Sequence, residues 1–150
     1  MLDIVFAINN SDDQEVFNHL AFCDRQFTPL LSSKVDISAY SKKITDKAIR
    51  FEAWNQGRLI GLIAIYRNDK TNGLFITNVS VEKDFLGMGI AGTIMKNVIT
   101  FGMEHKLQTI RLEVNKLNST ALALYYKFDF KLESEENETL YLIYHFNYGK

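Results

Sequence analysis

An α/β fold with a mixed sheet is what the sequence predicts, and three observations predict it. Runs of period-two alternation are interspersed with runs whose apolar residues recur every three or four positions. Turn-forming clusters, NQG at Asn55–Gly57 and NDKTNG at Asn68–Gly73, separate adjacent strand-like runs in the manner of hairpins. In the middle of the chain a strand, a glycine-rich loop, a helix and a second strand follow one another, the pattern of a βαβ unit with parallel pairing. The predicted order is β-α-α-β-β-β-α-β-α-β-β: a mixed central sheet of about six to seven strands with about four helices, in one domain over residues 1–150.

Leu2–Ile8 alternates as a first strand. Ser11 with Gln14 reads as a capping box, after which Val16, Leu20, Cys23 and Phe27 recur at helical spacing. The segment TPLLSSK, Thr28 to Lys34, contains the only proline and breaks that helix. Asp36 can cap a second helix with Ile37, Tyr40 and Ile44 on its apolar face. Ile49–Trp54 and Arg58–Tyr66 form a hairpin, and Leu74–Val81 a fourth strand. A long helix runs from about Met88 to Glu104 with Ile90, Ile94, Val98 and Phe101 inward. Thr109–Asn115 is a strand with Ile110, Leu112 and Val114 on one face and Arg111, Glu113 and Asn115 on the other. Ser119–Phe128 is a short helix. Phe130–Glu133 and Leu140–Tyr148 close the chain around the acidic turn SEENET.

Composition narrows the function classes. The chain of 150 residues is 47% hydrophobic and 23% charged, with a net charge of −1. No Lys/Arg stripe stands out, so nucleic acid is not expected as a partner. Apolar runs such as Leu59–Tyr66 are too short to span a bilayer, and the N-terminus has no signal-peptide pattern. Cys23 is the only cysteine, which excludes an internal disulfide and a cysteine metal cluster and suits a reducing cytoplasm. His19, His105 and His145 read as surface or strand histidines without metal-ligand spacing, so no metal is expected.

The stretch FLGMGIAG, Phe85 to Gly92, holds a Gly-x-Gly-x-x-Gly at Gly87, Gly89 and Gly92. Glycines let a backbone approach a phosphate, and the helix that follows offers unpaired N–H groups with a partial positive charge. A dinucleotide fingerprint also wants an acid about 20 residues on, where Glu113 stands. Against it, Glu82–Leu86 separate the strand from the first glycine, and little chain follows Glu113 for a doubly wound sheet. A P-loop lacks its Gly-Lys-Ser/Thr. A turn that merely packs a helix on a sheet is the plainer reading of a motif this short.

The downstream block separates these readings. FITNVSVEKDFLGMGIAGTIMKNVI and IRLEVNKLNSTALALYYKFDF, together about Phe75–Phe130, resemble the GNAT superfamily of acetyl-CoA-dependent N-acetyltransferases. That family's loop signature is Gln/Arg-x-x-Gly-x-Gly/Ala, matched here by Gly89 and Ala91, with Leu86 in the first position. Its later signature, Leu-Glu-Val followed by Asn-x-x-Ala-x-x-Leu-Tyr-x-Lys-x-Gly-Phe, is matched by Leu112, Glu113, Val114, Asn118, Ala121, Leu124, Tyr125, Lys127 and Phe130, with Asp129 in the glycine position. Leu86 removes a polar side chain near the pyrophosphate; the loss of one charge-assisted hydrogen bond costs on the order of 1–3 kcal/mol. Asp129 suits a tight turn.

The resemblance implies acetyl-CoA as co-substrate. Its pantetheine arm would bond to backbone at Val79, Ser80 and Val81, and its pyrophosphate would rest on Gly87, Met88, Gly89, Ile90, Ala91 and Gly92. The fourth and fifth strands would splay around the thioester, with Asn118 on the cofactor and Tyr125 near its sulfur. Acetyl transfer needs a neutral amine, although a free ammonium has a pKa of about 10. It also needs a polarised thioester oxygen, for which a backbone N–H near Val79–Val81 is available, and a proton for the thiolate. A tyrosine of pKa about 10 protonating a thiol of pKa about 8.5 is uphill by roughly 2 kcal/mol, little if concerted with C–S cleavage. Tyr125 is the candidate acid; its plainer role is packing beside Phe128. Glu113 is the candidate base, since a glutamate at this position serves so in some members of the family; its plainer role is a solvated pair with Arg111.

The acceptor pocket is expected from the two N-terminal helices, the loop between them and the third-strand region. FCDRQFTPLLSSK supplies Asp24, Phe27, Ser32 and Ser33 as substrate candidates, Asp24 for a cationic amine. The expected activity is transfer of acetyl to a primary amine of a small metabolite such as an amino sugar, by direct attack in a ternary complex. A peptide or protein N-terminus or a lysine is the alternative acceptor. A non-catalytic acyl-CoA-binding or sensing domain is the alternative of another class. Tyr141, Tyr144, Phe146 and Tyr148 suit a core, a dimer surface or a peptide groove, so a monomer or a homodimer is expected.

Overall fold

The computed structural model describes residues 3–149. Leu2, expected at the head of the first strand, lies outside them. The elements are β1 (Ile4–Ile8), α1 (Asp13–Cys23), α2 (Ile37–Lys47), β2 (Ile49–Asn55), β3 (Arg58–Asn68), β4 (Gly73–Val81), α3 (Ile90–Glu104), β5 (Thr109–Asn115), α4 (Ser119–Lys127), β6 (Lys131–Glu136) and β7 (Thr139–His145), in the expected order. The strands form one seven-stranded sheet, spatial order β1-β2-β3-β4-β5-β7-β6. Among the described residues only β4 and β5 pair in parallel, as the βαβ reading requires. No helix among the described residues is long and apolar enough to cross a membrane.

Apolar residues cover both faces of the sheet. Val16 and Leu20 of α1 and Ile44 of α2 pack on Leu59, Leu62 and Ala64 of β3. On the other face Ile90, Ile94, Met95 and Val98 of α3 share a core with Phe51, Ile63 and Ile65, and Tyr125 of α4 belongs to the same core. A bulge in β4 decides which residues face which layer. Ala64 pairs with Asn78 but Ile65 with Ile76, so Thr77 is an extra residue. Before it Leu74 and Ile76 face α3; after it Val79 and Val81 do. Asn78 and Ser80 are thereby turned toward α1 and α2.

Three local expectations are corrected. The capping box lies one residue later than Ser11–Gln14: Asp12 accepts from the Glu15 N–H at 2.8 Å and Glu15 accepts from the Asp12 N–H at 3.0 Å. Ser11 is drawn instead to the buried Glu52 carboxylate, to which it donates from both backbone and hydroxyl. Helix α3 begins at Ile90 rather than Met88, because Gly87 and Gly89 sit at φ +79° and +74°, outside helical space. Half of SEENET, residues 134–136, belongs to β6 and Thr139 to β7, so that only Asn137 and Glu138 form the turn. β6 is an edge strand with every residue exposed, where charges are tolerated and block further pairing.

Candidate active site

The parallel β4–β5 ladder runs only from Gly73/Thr109 to Ile76/Leu112. Beyond the Thr77 bulge the two strands separate, which leaves the second half of β4 without a partner on that side. The Glu82 N–H donates to the Ile60 carbonyl at 2.9 Å. Since antiparallel backbone groups alternate in direction, Asn78 and Ser80 bond toward β3, while the N–H and C=O of Val79 and Val81 face the gap. The Gln26 side chain donates to the Val81 carbonyl at 2.8 Å. A cleft of about 310 Å³ follows this edge to the glycine loop and the start of α4.

The loop presents backbone. Glycines 87 and 89 are in the left-handed region, and a Cβ at either would meet nothing within 4 Å; conformation, not space, demands glycine. α3 has no side-chain cap at Gly89, so the first-turn N–H groups open onto the cleft. Gly92 lies under Phe128, its would-be Cβ 3.8 Å from the ring. Of the expected cofactor residues, Val79, Ser80, Val81, Gly87, Gly89, Ile90, Ala91, Gly92 and Asn118 line this cleft. Met88 does not; its side chain is exposed. Leu86 stands at the rim. Among the described residues Lys127, which matches the family's later signature, is the one cationic side chain lining the cleft.

A second cavity, about 130 Å³, adjoins the first through Phe27, Val79 and Asn118. It brings Glu113 and Tyr125 together. Tyr125 is buried, its ring against Phe130 at 5.8 Å between centroids rather than against Phe128. Burial alone raises its pKa above the ordinary tyrosine value, so the phenol keeps its proton. Glu113 is exposed, and the expected pairing with Arg111 is absent: Arg111 makes a two-pronged contact with Glu133 at 3.0 and 3.1 Å. Asn118 caps α4 by accepting from the Ala121 N–H at 3.2 Å, which leaves its amide N–H₂ for the junction.

Other residues are where sequence reasoning did not put them. His19 is a buried histidine, not a surface one: its Nε2 lies 2.8 Å from Ser80 Oγ and its Nδ1 3.7 Å from Glu82. The Ser80 hydroxyl donates to Asn78 Oδ1 at 2.8 Å. Burial of Glu82 opposes ionisation, but His19 and Arg58, the latter at 3.0 Å, outweigh it and hold the carboxyl below its usual range. Nothing in the local sequence signals this cluster, because a β-bulge far along the chain turns Ser80, 61 residues from His19, toward it. Cys23 lines the main cleft, but burial, and then the Glu82 carboxylate, push its thiol up to about 12.

Among the acceptor candidates only Phe27 reaches the small cavity. Asp24 accepts from the Ser32 N–H and hydroxyl, each at 2.7 Å, and its carboxyl is lowered chiefly by those bonds. Ser33 donates to the Leu30 carbonyl. These three hold the α1–α2 loop in shape. The loop does enter the cavity, through Thr28, Pro29, Leu31 and Lys34, but the facing wall is β4 and β5 rather than the third-strand region. A wider depression of about 630 Å³ beside Phe22 and Arg58 shares no lining residue with either cavity.

Comparison with known proteins identifies the family and the fold. The sequence model of the acetyltransferase (GNAT) family matches residues 14–130. A zebrafish (Danio rerio) protein named N-acetylaspartate synthetase is 28% identical over 109 residues, 73% of this chain; the chain spans only 38% of that relative's length. The PaiA N-acetyltransferase of Thermoplasma acidophilum, solved with coenzyme A, superposes with a TM-score of 0.76 at 14% identity, covering 95% of this chain and 99% of its own. A Bacillus anthracis protein solved with acetyl coenzyme A gives 0.59 at 21% identity over 67% of this chain and 63% of its own.

Proposed function

The chain belongs to the acetyltransferase (GNAT) family, and on that premise we propose that it transfers an acetyl group from acetyl-CoA to the primary amine of a small metabolite. One observation carries the reading. The cavity that holds Glu113 and Tyr125 opens at Val79 and Asn118 onto the cleft headed by the glycine loop. The residues suit the co-substrate: uncapped N–H groups for a pyrophosphate, an open β-edge for an amide-bearing arm. Lys127 supplies the positive charge that Leu86 does not.

Each step then falls to a residue of this chain. Glu113, directly or through water, takes the ammonium proton so that the amine nitrogen can attack the thioester carbon. The Val79 N–H faces the gap and stabilises the developing oxyanion. As the C–S bond breaks, Tyr125 gives its proton to the departing sulfur; the second proton on the amide nitrogen passes through water to the phenolate, and Glu113 releases its own to solvent. The products are the amide and free CoA thiol. Cys23, the only thiol, is held protonated and makes a poor acyl carrier, which favours direct attack in a ternary complex. A single buried cysteine also suits a reducing cytoplasm.

The test is thiol release from acetyl-CoA across amino sugars, polyamines, amino acids and short peptides. Release with a small amine supports the reading, and release only with peptides moves the acceptor to the N-terminal class. Binding of acetyl-CoA without turnover of any amine favours a sensor. With an active amine in hand, Glu113→Gln is expected to lower kcat by about 10²–10⁴-fold and to abolish the rise of the rate with pH. An unmoved pH–rate profile assigns the base elsewhere.

A further inference from the structure

The small cavity contains two opposite charges that the protein itself does not neutralise. Lys34, from the α1–α2 loop, and Glu113, from β5, both line it and the shallower space that continues past Asn115 to Thr139. Among the described residues neither has an ion-pair partner. The other carboxylate there, Glu138, is engaged by Lys116 at 3.8 Å.

The uncharged groups add hydrogen-bond donors. Asn115 Oδ1 accepts from the Leu117 N–H at 2.8 Å, and Asn78 Oδ1 accepts from the Ser80 hydroxyl at 2.8 Å. With both oxygens engaged, the amide N–H₂ groups are left for a ligand, that of Asn78 with one hydrogen already shared with the Tyr40 hydroxyl. The Asn78 amide is held by the buried Ser80 and His19 behind it, so its donor is fixed in place. The cavity therefore offers a cation and amide donors together with a lone carboxylate, in a space that Tyr125 also lines.

We propose that the acceptor is a zwitterion, a small amine that carries its own carboxylate: an amino acid. Its amine meets Glu113, and its carboxylate meets Lys34 with the N–H₂ groups of Asn78 and Asn115. A polyamine would set a second cation against Lys34, and a peptide N-terminus would leave Lys34 without a counter-charge. This inference rests on the transferase reading above and names its substrate class.

The experiment measures thiol release with the protein amino acids and β-alanine, each beside its carboxamide and its decarboxylated amine. At least one amino acid is expected to exceed both counterparts in kcat/KM by about tenfold or more, because each counterpart lacks the anion that Lys34 would bind. Lys34→Met should raise KM for that amino acid by about 10–100-fold with kcat little changed, and Lys34→Arg should restore most of it. Equal or faster turnover of the amides or plain amines overturns the proposal, as does an unchanged KM in Lys34→Met. If no amine releases thiol although calorimetry shows acetyl-CoA bound, the transferase reading has failed. The zwitterion site is then decided by saturation-transfer NMR with the same amino acids on the CoA-loaded protein: binding that disappears in Lys34→Met supports it, and absence of binding overturns it.

Discussion

In the proposed mechanism Tyr125 joins the chemistry and the energetics of the site in one side chain. Burial raises its pKa, which keeps the phenol protonated wherever the enzyme would work but also makes the proton harder to give up, so donation to sulfur has to be concerted with C–S cleavage. Tyr125→Phe should cut kcat by about 10²-fold or more while acetyl-CoA affinity, measured by calorimetry, stays the same. Unaltered turnover would remove Tyr125 from the mechanism. The same shift has a consequence for stability. A folded-state pKa raised above the unfolded value of about 10 contributes stability that is fully present below that pH and lost as pH climbs toward the raised value. Melting temperature followed from about pH 8 to 11 should therefore fall less steeply in Tyr125→Phe than in the wild type. Parallel slopes would mean that the phenol is not desolvated in solution. Glu82 carries the opposite sign. Its depressed pKa contributes stability above the ordinary carboxylate range that is lost on acidification.

At the scale of the element, the loop into α3 works by backbone shape. Gly89→Ala puts an alanine at φ +74°, at a cost of about 1–2 kcal/mol. Chemical denaturation should show that loss with the m-value unchanged; full stability would mean that the loop rearranges freely. Leu86 is at the rim of the same element, exposed beside the cleft. Leu86→Arg should tighten acetyl-CoA binding by about 5–10-fold through one charge-assisted hydrogen bond, and Lys127→Met should weaken it by a similar factor. An unchanged dissociation constant in both would separate side-chain charge from pyrophosphate recognition and leave that task to the N–H groups alone.

At the scale of the molecule, the candidate active site is a seam. It lies where the parallel pairing of β4 and β5 stops, between a half built from β1–β4 and a half built from β5–β7. A ligand that fills the gap bridges strands that do not hold each other. Saturating acetyl-CoA at about 100 times its dissociation constant should add about 2.7 kcal/mol, a rise of roughly 5–10 °C in melting temperature for a chain this size. No shift at saturation would show that the cleft does not take the co-substrate.

Local sequence was enough for the order of the elements, their apolar faces, and two signatures at family spacing: the glycine loop, and the segment from Leu112 to Phe130. Periodicity, caps and turn residues are set within a few positions, so strands such as Thr109–Asn115 are legible to the residue. Other features exist only in the folded chain: where the sheet splays, the bulge at Thr77, the burial of His19 against Ser80 and Glu82, and the approach of Lys34 to the cavity of Glu113. The use of Asp24 and Ser32 to staple a loop belongs with them. The physical reason is that a side chain's partner depends on which distant strands and helices pack beside it. A single extra residue in a strand reverses the facing of everything after it, with no trace in composition or period.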